Sequence, residues 1–289
     1  MQIIHTVTEL RNVLHNQASI AFVPTMGNLH AGHIHLVQIA KQHAECVVVS
    51  IFVNPLQFGV NEDLASYPRT LEVDCEKLKA AGAHIVFAPS VNEMYADFDG
   101  VNLNQTMTIN PPAIADALCG ASRPGHFSGV ATVVMKLFNI VTPNVAVFGK
   151  KDFQQLFMIR ELVKQFNLPI TIIASETIRE DSGLAMSSRN GYLTEIQKIE
   201  AAALHRLLQT IVDKLRSKDQ TDKLPDQYIA LENEATQALT EHGWQVDYVS
   251  IRNADTLQPA RMPDTHLVVL AAAKIGTTRL IDNIEFIRH

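Results

Sequence analysis

Residues 46–53 read CVVVSIFV, and this run restricts the fold more than any other stretch of the chain. Only Ser50 in it is polar. A strand that is apolar on both sides must be covered on both sides, as in a parallel sheet with helices packed on each face. The flanking sequence has the matching rhythm. Short β-rich runs occur at 20–23, 84–88, 145–148 and 170–174. Helical patterns lie between them: Leu71, Cys75 and Leu78 at i, i+4 and i+7 before Gly82, then Val130, Val134, Leu137 and Val141 before Pro143, and then residues 153–165. Strands alternating with helices imply right-handed crossovers and an open α/β sheet.

The rhythm changes after residue 176. Residues 177–190 form a polar, glycine-containing loop, and Leu204, Leu208, Ile211 and Leu215 mark one face of a helix. The stretch 217–223, SKDQTDK, reads as a charged, solvated connection. Pro225 then opens a second helix, with Tyr228, Leu231, Ala235 and Ala238 turned inward. Strand-like pieces at 245–251, 267–273 and 279–284 complete the pattern. The expected organisation is a larger α/β domain, residues 1–176, followed by a smaller α+β domain, residues 177–289. A chain of 289 residues is long enough for both.

Composition excludes several functions. The chain is 47% hydrophobic and 19% charged, with a net charge of −6, so no basic surface for tRNA or DNA is expected. No apolar run is long enough to span a bilayer, and the N-terminal MQIIHTVTEL lacks the pattern of a signal peptide. Cys46, Cys75 and Cys119 are scattered, without metal-ligand spacing, and read as reduced thiols of a cytoplasmic protein.

Chemistry concentrates at residues 24–33, PTMGNLHAGH, between the run 20–23 and a helical segment at 34–41. A strand, a tight turn and a helix start define the place where doubly wound sheets bind nucleotides. The helix N-terminus attracts phosphate through unpaired N–H groups and its dipole. His30 and His33 share one face if the turn is helical, and Gly32 between them allows close backbone approach. Imidazole donors there suit a transition state with charge building on phosphorus. Ordinary polar residues at a helix start are the plainer reading.

HxGH after a first strand resembles the signature of nucleotidylyltransferases and class I aminoacyl-tRNA synthetases. The longer string PTMGNLHAGH resembles the pantoate–β-alanine ligase (pantothenate synthetase) family. Further stretches extend the resemblance: FVNPLQFG at 52–59, Glu62, Asp63, YPRT at 67–70, CGASRPGHFS at 119–128, FGKKDFQQL at 148–156 and MSSR at 186–189. It covers nearly the whole chain. It implies a Rossmann-like, doubly wound parallel sheet with a smaller C-terminal lid domain. It further implies ATP-dependent condensation of (R)-pantoate with β-alanine through pantoyl adenylate, with release of AMP and pyrophosphate. Mg²⁺ would accompany ATP, and a cytoplasmic homodimer joined through the N-terminal domain would be the assembly.

The same resemblance places ATP against Met26, Gly27, Asn28, Leu29, His30, Ala31, Gly32 and His33. It also places ATP against Gly149, Lys150, Lys151 and Asp152, and against Ile178, Met186, Ser187, Ser188 and Arg189. It implies catalytic roles for His33, His30, Lys151 and Arg189. Gln57 would touch pantoate and lie near β-alanine, and Gln155 would touch pantoate. Lys150 departs from the pattern, which commonly has Glu or Gln there. Read as residues alone, Gln57 is a loop amide, KKD a solvated turn and Ile178 a strand-end core residue. Arg123 is equally a carboxylate or phosphate ligand and a loop arginine held by carbonyls. Two other functions fit parts of the pattern: a nucleotidylyltransferase that stops after AMP transfer, and a nucleotide-binding regulator with a dead site.

Overall fold

The computed structural model describes residues 1–59, 64, 67–96, 98–100, 102–217 and 224–288. Glu62 and Asp63, and residues 218–223 of the charged connection, lie outside the described residues. The chain divides into two compact units. The first comprises Met1–Asp116, Arg123–Gly149 and Met158–Glu176, and the second Ala117–Ser122, Lys150–Phe157 and Thr177–His289. Each unit is thus assembled from segments distant in sequence.

The first unit is a six-stranded parallel sheet. Its strands are β1 (Gln2–Ile4), β2 (Ile20–Thr25), β3 (Cys46–Ile51), β4 (Ile85–Phe87), β5 (Val145–Gly149) and β6 (Thr171–Ser175), in the order β1-β4-β3-β2-β5-β6. The chain runs outward from β2 through β3 to β4, then returns to place β5 on the other side of β2. The strand order therefore reverses beside β2, the switch point at which such sheets bind ligands. Residues 46–50 of the CVVVSIFV run are fully buried, and Val47 and Val49 pack with Ala21, Val23, Val37 and Leu78. The helices are α1 (Val7–Leu14), α2 (Ala31–Ala40), α3 (Leu71–Ala81), α4 (Val91–Met94), α5 (His126–Val141) and α6 (Phe153–Gln165), the last shared between the units. The α3 helix ends at Gly82, whose φ of 85° is the left-handed conformation of a helix stop.

In the second unit, three antiparallel strands follow one another: β7 (Gln245–Asn253), β8 (His266–Ile275) and β9 (Thr278–Ile287). The helices α7 (Glu195–Ala201), α8 (Ala203–Arg216) and α9 (Leu224–Glu241) accompany them. Leu204, Leu208, Ile211 and Leu215 of α8 join Val249, Leu267, Val269 and Ala271 in one core. Among the described residues no helix is long and apolar enough to cross a membrane.

One close approach shapes the first unit. The turn Pro55–Gln57 lies against α5 at Gly129, where a Cβ would overlap the Leu56 carbonyl and stand 2.8 Å from the Gln57 nitrogen. Asn54 Nδ2 donates to the Gly129 carbonyl at 3.2 Å across the same contact. Backbone lies on both sides, so the clash has no flexible side chain to absorb it. Gly129→Ala should cost about 1–3 kcal/mol, the scale of overpacking a tight interior, read as a lower midpoint in urea.

Candidate active site

The first unit places its candidate residues at the end of β2. Gly27 and Asn28 carry φ of 85° and 51°, so the backbone after β2 turns through two left-handed residues. A Cβ at Gly27 would lie 3.2 Å from Asp74 Oδ2 and 3.1 Å from Ile51 Cγ2. Asp74, fully buried on α3, accepts hydrogen bonds from Asn28 N and Leu29 N, both at 2.8 Å, and from Thr70 Oγ1 at 3.0 Å. One turn further along α3, Lys77 Nζ donates to the Leu29 carbonyl at 2.7 Å. The turn is therefore fixed by a helix more than forty residues away in sequence, and neither Asp74 nor Lys77 was legible as a site residue.

His30 and His33 follow. His30 has extended backbone and caps α2, which begins at Ala31 rather than at residue 34. The His30 Nδ1 accepts from Gly32 N at 3.2 Å, and His33 Nδ1 accepts from His30 N at 3.3 Å. This is a capping box made by two imidazoles in the roles usually held by Ser or Thr and Glu or Gln. The ring centroids are 4.1 Å apart. Because each Nδ1 is an acceptor, the proton of each neutral ring resides on Nε2. The cap lies at a helix N-terminus that has no acidic residue in its first turn.

Gln57 is nearly buried, and its amide is oriented from within the unit. Its Oε1 accepts from Asn54 Nδ2 at 3.1 Å, and its Nε2 lies 3.0 Å from Met26 Sδ. The Tyr95 hydroxyl in turn donates to Asn54 Oδ1 at 2.6 Å. The structure thereby brings Gln57 to Met26 of the PTMG turn. Arg123 reaches His126 Nε2 at 3.0 Å and the Gln57 carbonyl at 3.5 Å, and His126 Nδ1 donates to that same carbonyl at 2.8 Å.

The second unit carries the remaining candidates. Lys150–Asp152 form a 3-10 turn directly after Gly149, and α6 starts at Phe153. Lys150 Nζ pairs with Glu285 at 2.6 Å, whereas Lys151 Nζ stands 3.8 Å from Asp152. Gln155 is half-buried on α6, beside the buried Gln154, which binds Cys119 N and the Ala117 carbonyl. Residues 177–190 are a folded hairpin. Arg179 bridges Ala185, Met186 N donates to the Ile178 carbonyl at 2.9 Å, and Asn190 Nδ2 ties Glu180 to the Ala185 carbonyl. Ser187 caps the turn Ser188–Tyr192 by accepting from Arg189 N. Arg179 forks onto the buried Asp282 at 2.7 and 2.9 Å, and His205 Nδ1 lies 3.5 Å from the same carboxylate. Burial opposes the charge of Asp282, but His205 and the Arg179 guanidinium outweigh it and hold the carboxyl below its ordinary range.

A Rossmann-like sheet with an HxGH cap at its switch point defines an α/β protein of the nucleotidylyltransferase type. Comparison with known proteins narrows the class. A family model described as pantoate–β-alanine ligase matches residues 2–285. The pantothenate synthetase of Methylobacillus flagellatus is 64% identical over 99% of both chains, and that of Thiobacillus denitrificans is 54% identical over 99% of this chain and 97% of its own. Among solved structures, pantothenate synthetase from Thermus thermophilus superposes with a TM-score of 0.88 at 40% identity, covering 99% of each chain. The Francisella tularensis pantoate–β-alanine ligase, complexed with β-γ ATP and β-alanine, gives a TM-score of 0.75 at 34% identity, covering 99% of this chain and 97% of that one. The chain belongs to the pantoate–β-alanine ligase family, and its activity is that of an ATP-dependent ligase.

Two outcomes follow from the geometry. Asp74→Asn replaces one acceptor oxygen by a donor facing backbone N–H groups. It should cost about 1.5–3 kcal/mol, the scale of a hydrogen bond to a charged group, and should slow adenylate formation, as checked by denaturation and single-turnover assay. Asp282 has a depressed folded-state pKa, so its contribution to stability is complete above the ordinary carboxylate pKa and is lost as pH falls through the folded value. Asp282→Asn should therefore flatten the acid limb of a stability–pH curve and lower stability at neutral pH.

Proposed function

We propose that this chain joins pantoate to β-alanine in two half-reactions, with the residues named above in specific roles. In the first, a pantoate carboxylate oxygen attacks the α-phosphorus of ATP, the bond to the β-phosphate oxygen breaks, and pyrophosphate leaves. In the second, the β-alanine amine attacks the acyl carbon of pantoyl adenylate, the bond to the phosphate oxygen breaks, and AMP leaves. The amine's protons pass to solvent. The observation that carries this reading is the reciprocal imidazole cap, with Nδ1 of both His30 and His33 held by backbone N–H groups. That arrangement leaves the proton of each neutral ring on Nε2, a donor of the kind that stabilises charge developing on phosphorus.

His33 serves as donor toward the leaving side, with His30 beside it. Met26, Gly27, Asn28, Leu29, Ala31 and Gly32 give the nucleotide a backbone to lie along. Lys151 supplies a point charge to the phosphates, while Gly149, Lys150 and Asp152 form the turn that presents it. Ser187, Ser188 and Arg189 add hydroxyl donors and a permanently charged fork, and Met186 and Ile178 line the adenine. Gln57 and Gln155 orient pantoate as neutral amides, which leaves its carboxylate nucleophilic. The amide of Gln57 suits this task, because Asn54 fixes which end is which.

Mg²⁺ enters as part of the substrate, MgATP. Among the described residues no group of three or more His, Cys, Asp or Glu side chains could hold a metal ion. The side chains assigned to ATP are mainly donors and cations, which fit phosphate oxygens, while Mg²⁺ keeps its waters. The ATP- and pantoate-binding domain in this reading is residues 1–176 apart from Ala117–Ser122 and Lys150–Phe157, which fold with residues 177–289, the smaller lid. The protein works as a cytoplasmic homodimer.

The test is AMP release from MgATP and pantoate with and without β-alanine. One AMP per pantothenate, formed only with both substrates, is the expected result. Pyrophosphate without AMP indicates nucleotidyl transfer alone, and ATP binding without turnover indicates a regulator. His33→Ala and Lys151→Ala should each slow single-turnover adenylate formation by about 10²–10³, the effect of losing one transition-state donor, while remaining folded. A loss below about tenfold removes the assigned role.

A further inference from the structure

The β9 strand carries a buried dipeptide, Asp282 and Asn283, whose side chains are 4% and 6% exposed. Asn283 Nδ2 donates to the Lys150 carbonyl at 2.9 Å and to the Lys151 carbonyl at 2.8 Å. An amide nitrogen has two hydrogens, so both are committed to successive carbonyls of one turn. The turn Lys150–Asp152 is a single 3-10 turn, too short to hold its own direction by internal hydrogen bonding. Between β5 and α6, two of its successive carbonyls are held from β9.

Neighbouring contacts make this placement rigid. Asn283 N donates to Asp282 Oδ1 at 2.8 Å, and the Asp282 carboxylate is gripped by Arg179 through its two terminal guanidinium nitrogens. Two residues further along β9, Glu285 lies on the same face as Asn283, as strand periodicity requires. Its carboxylate takes the Lys150 ammonium at 2.6 Å. The same strand face therefore holds the turn's backbone with a neutral amide and its first lysine with a carboxylate. These contacts separate the two lysines: Lys150 is drawn to β9, and the adjacent Lys151 starts from a backbone fixed by Asn283.

We propose that Asn283 is a positioning residue for Lys151, setting the direction from which that lysine reaches the phosphates. The inference rests on the role given to Lys151 above. Asn283 touches no substrate in this scheme, and its effect passes through the backbone of the turn. A displacement of about 1 Å in a group acting on the transition state costs on the order of 10² in rate.

The test is a double-mutant cycle on the full chain. Single-turnover adenylate formation is measured for Asn283→Ala, Lys151→Ala and the double variant, alongside thermal midpoints and the KM for β-alanine. Asn283→Ala should slow adenylate formation by about 10²-fold, the cost of such a displacement, with the KM for β-alanine unchanged. The double variant should be no slower than Lys151→Ala alone. Asn283→Ser, which retains one donor, should fall between wild type and Asn283→Ala, and it takes the place of the alanine variant if that one does not fold. Losses that multiply in the double variant, or a folded Asn283 variant at the wild-type rate, overturn the inference and leave the role of Lys151 standing. Lys151→Ala at the wild-type rate overturns the role of Lys151 and the inference together.

Discussion

The carboxylate of Asp74 is the contact on which the first unit's chemistry depends. It is fully buried, and a buried charge persists only where hydrogen bonds replace its water. Here two backbone N–H groups and the Thr70 hydroxyl do so. The same bonds stabilise the two consecutive left-handed residues, Gly27 and Asn28, that carry the chain from β2 into α2. His30 is the next residue but one after Asn28, so its position is inherited from that turn. The imidazole cap then ties each Nδ1 to a backbone N–H group of the same turn. The order of causes runs from a carboxylate on α3, through a left-handed turn, to the reciprocal cap of two imidazoles.

Much of this order was open to view in the amino-acid sequence. The CVVVSIFV run and the alternation of strands with helices gave a parallel sheet, and residues 153–165 emerge as a helix with those bounds. These features are local, because burial on both faces and helical spacing are written in consecutive residues. The roles of Asp74, Lys77 and Asn283 were not legible. Asp74 and Lys77 sit in a helix marked only by its apolar positions Leu71, Cys75 and Leu78, and Asn283 in a strand-like piece at 279–284. Each acts on backbone groups far away in sequence, and no residue pattern announces a carbonyl as a partner. The short strand β1 was missed because Gln2–Ile4 is too brief to show a period. The histidine pair was visible, but its geometry was not. Helical spacing alone put both on one face, whereas His30 stands outside the helix as its cap.

The two units solve one physical problem by opposite means. In the first, the candidate residues hang on the carboxyl ends of parallel strands, and a helix dipole supplies part of the field. In the second, they hang on a hairpin and on a short turn that runs directly into the N-terminus of α6. There the antiparallel strand β9 does the holding: Asp282 through Arg179, Asn283 through two carbonyls and Glu285 through Lys150. A turn and a hairpin can be placed accurately only if something stiff grips them, and a paired strand is stiff.

That grip also bears on the lysine at position 150, which departs from the pattern that the resemblance implies. A second ammonium beside Lys151 would add repulsion within the turn if it stood alone. Glu285 removes that charge at 2.6 Å, with both side chains only about one-fifth exposed (20% and 19%). Burial pushes the Glu285 carboxyl up, but Lys150 and then His266 hold it below the ordinary range, so it stays ionised at neutral pH. His266 is in turn tied to Asp255 at 2.9 Å, which extends the compensation away from the turn. Seen from a few ångströms away, the Lys150–Glu285 pair is a dipole rather than a charge, and its influence falls off faster than that of a lone cation. The turn therefore presents the charge of Lys151 with little addition from its neighbour. A change that would alter the electrostatics of the site is neutralised by the strand that already fixes the turn's backbone.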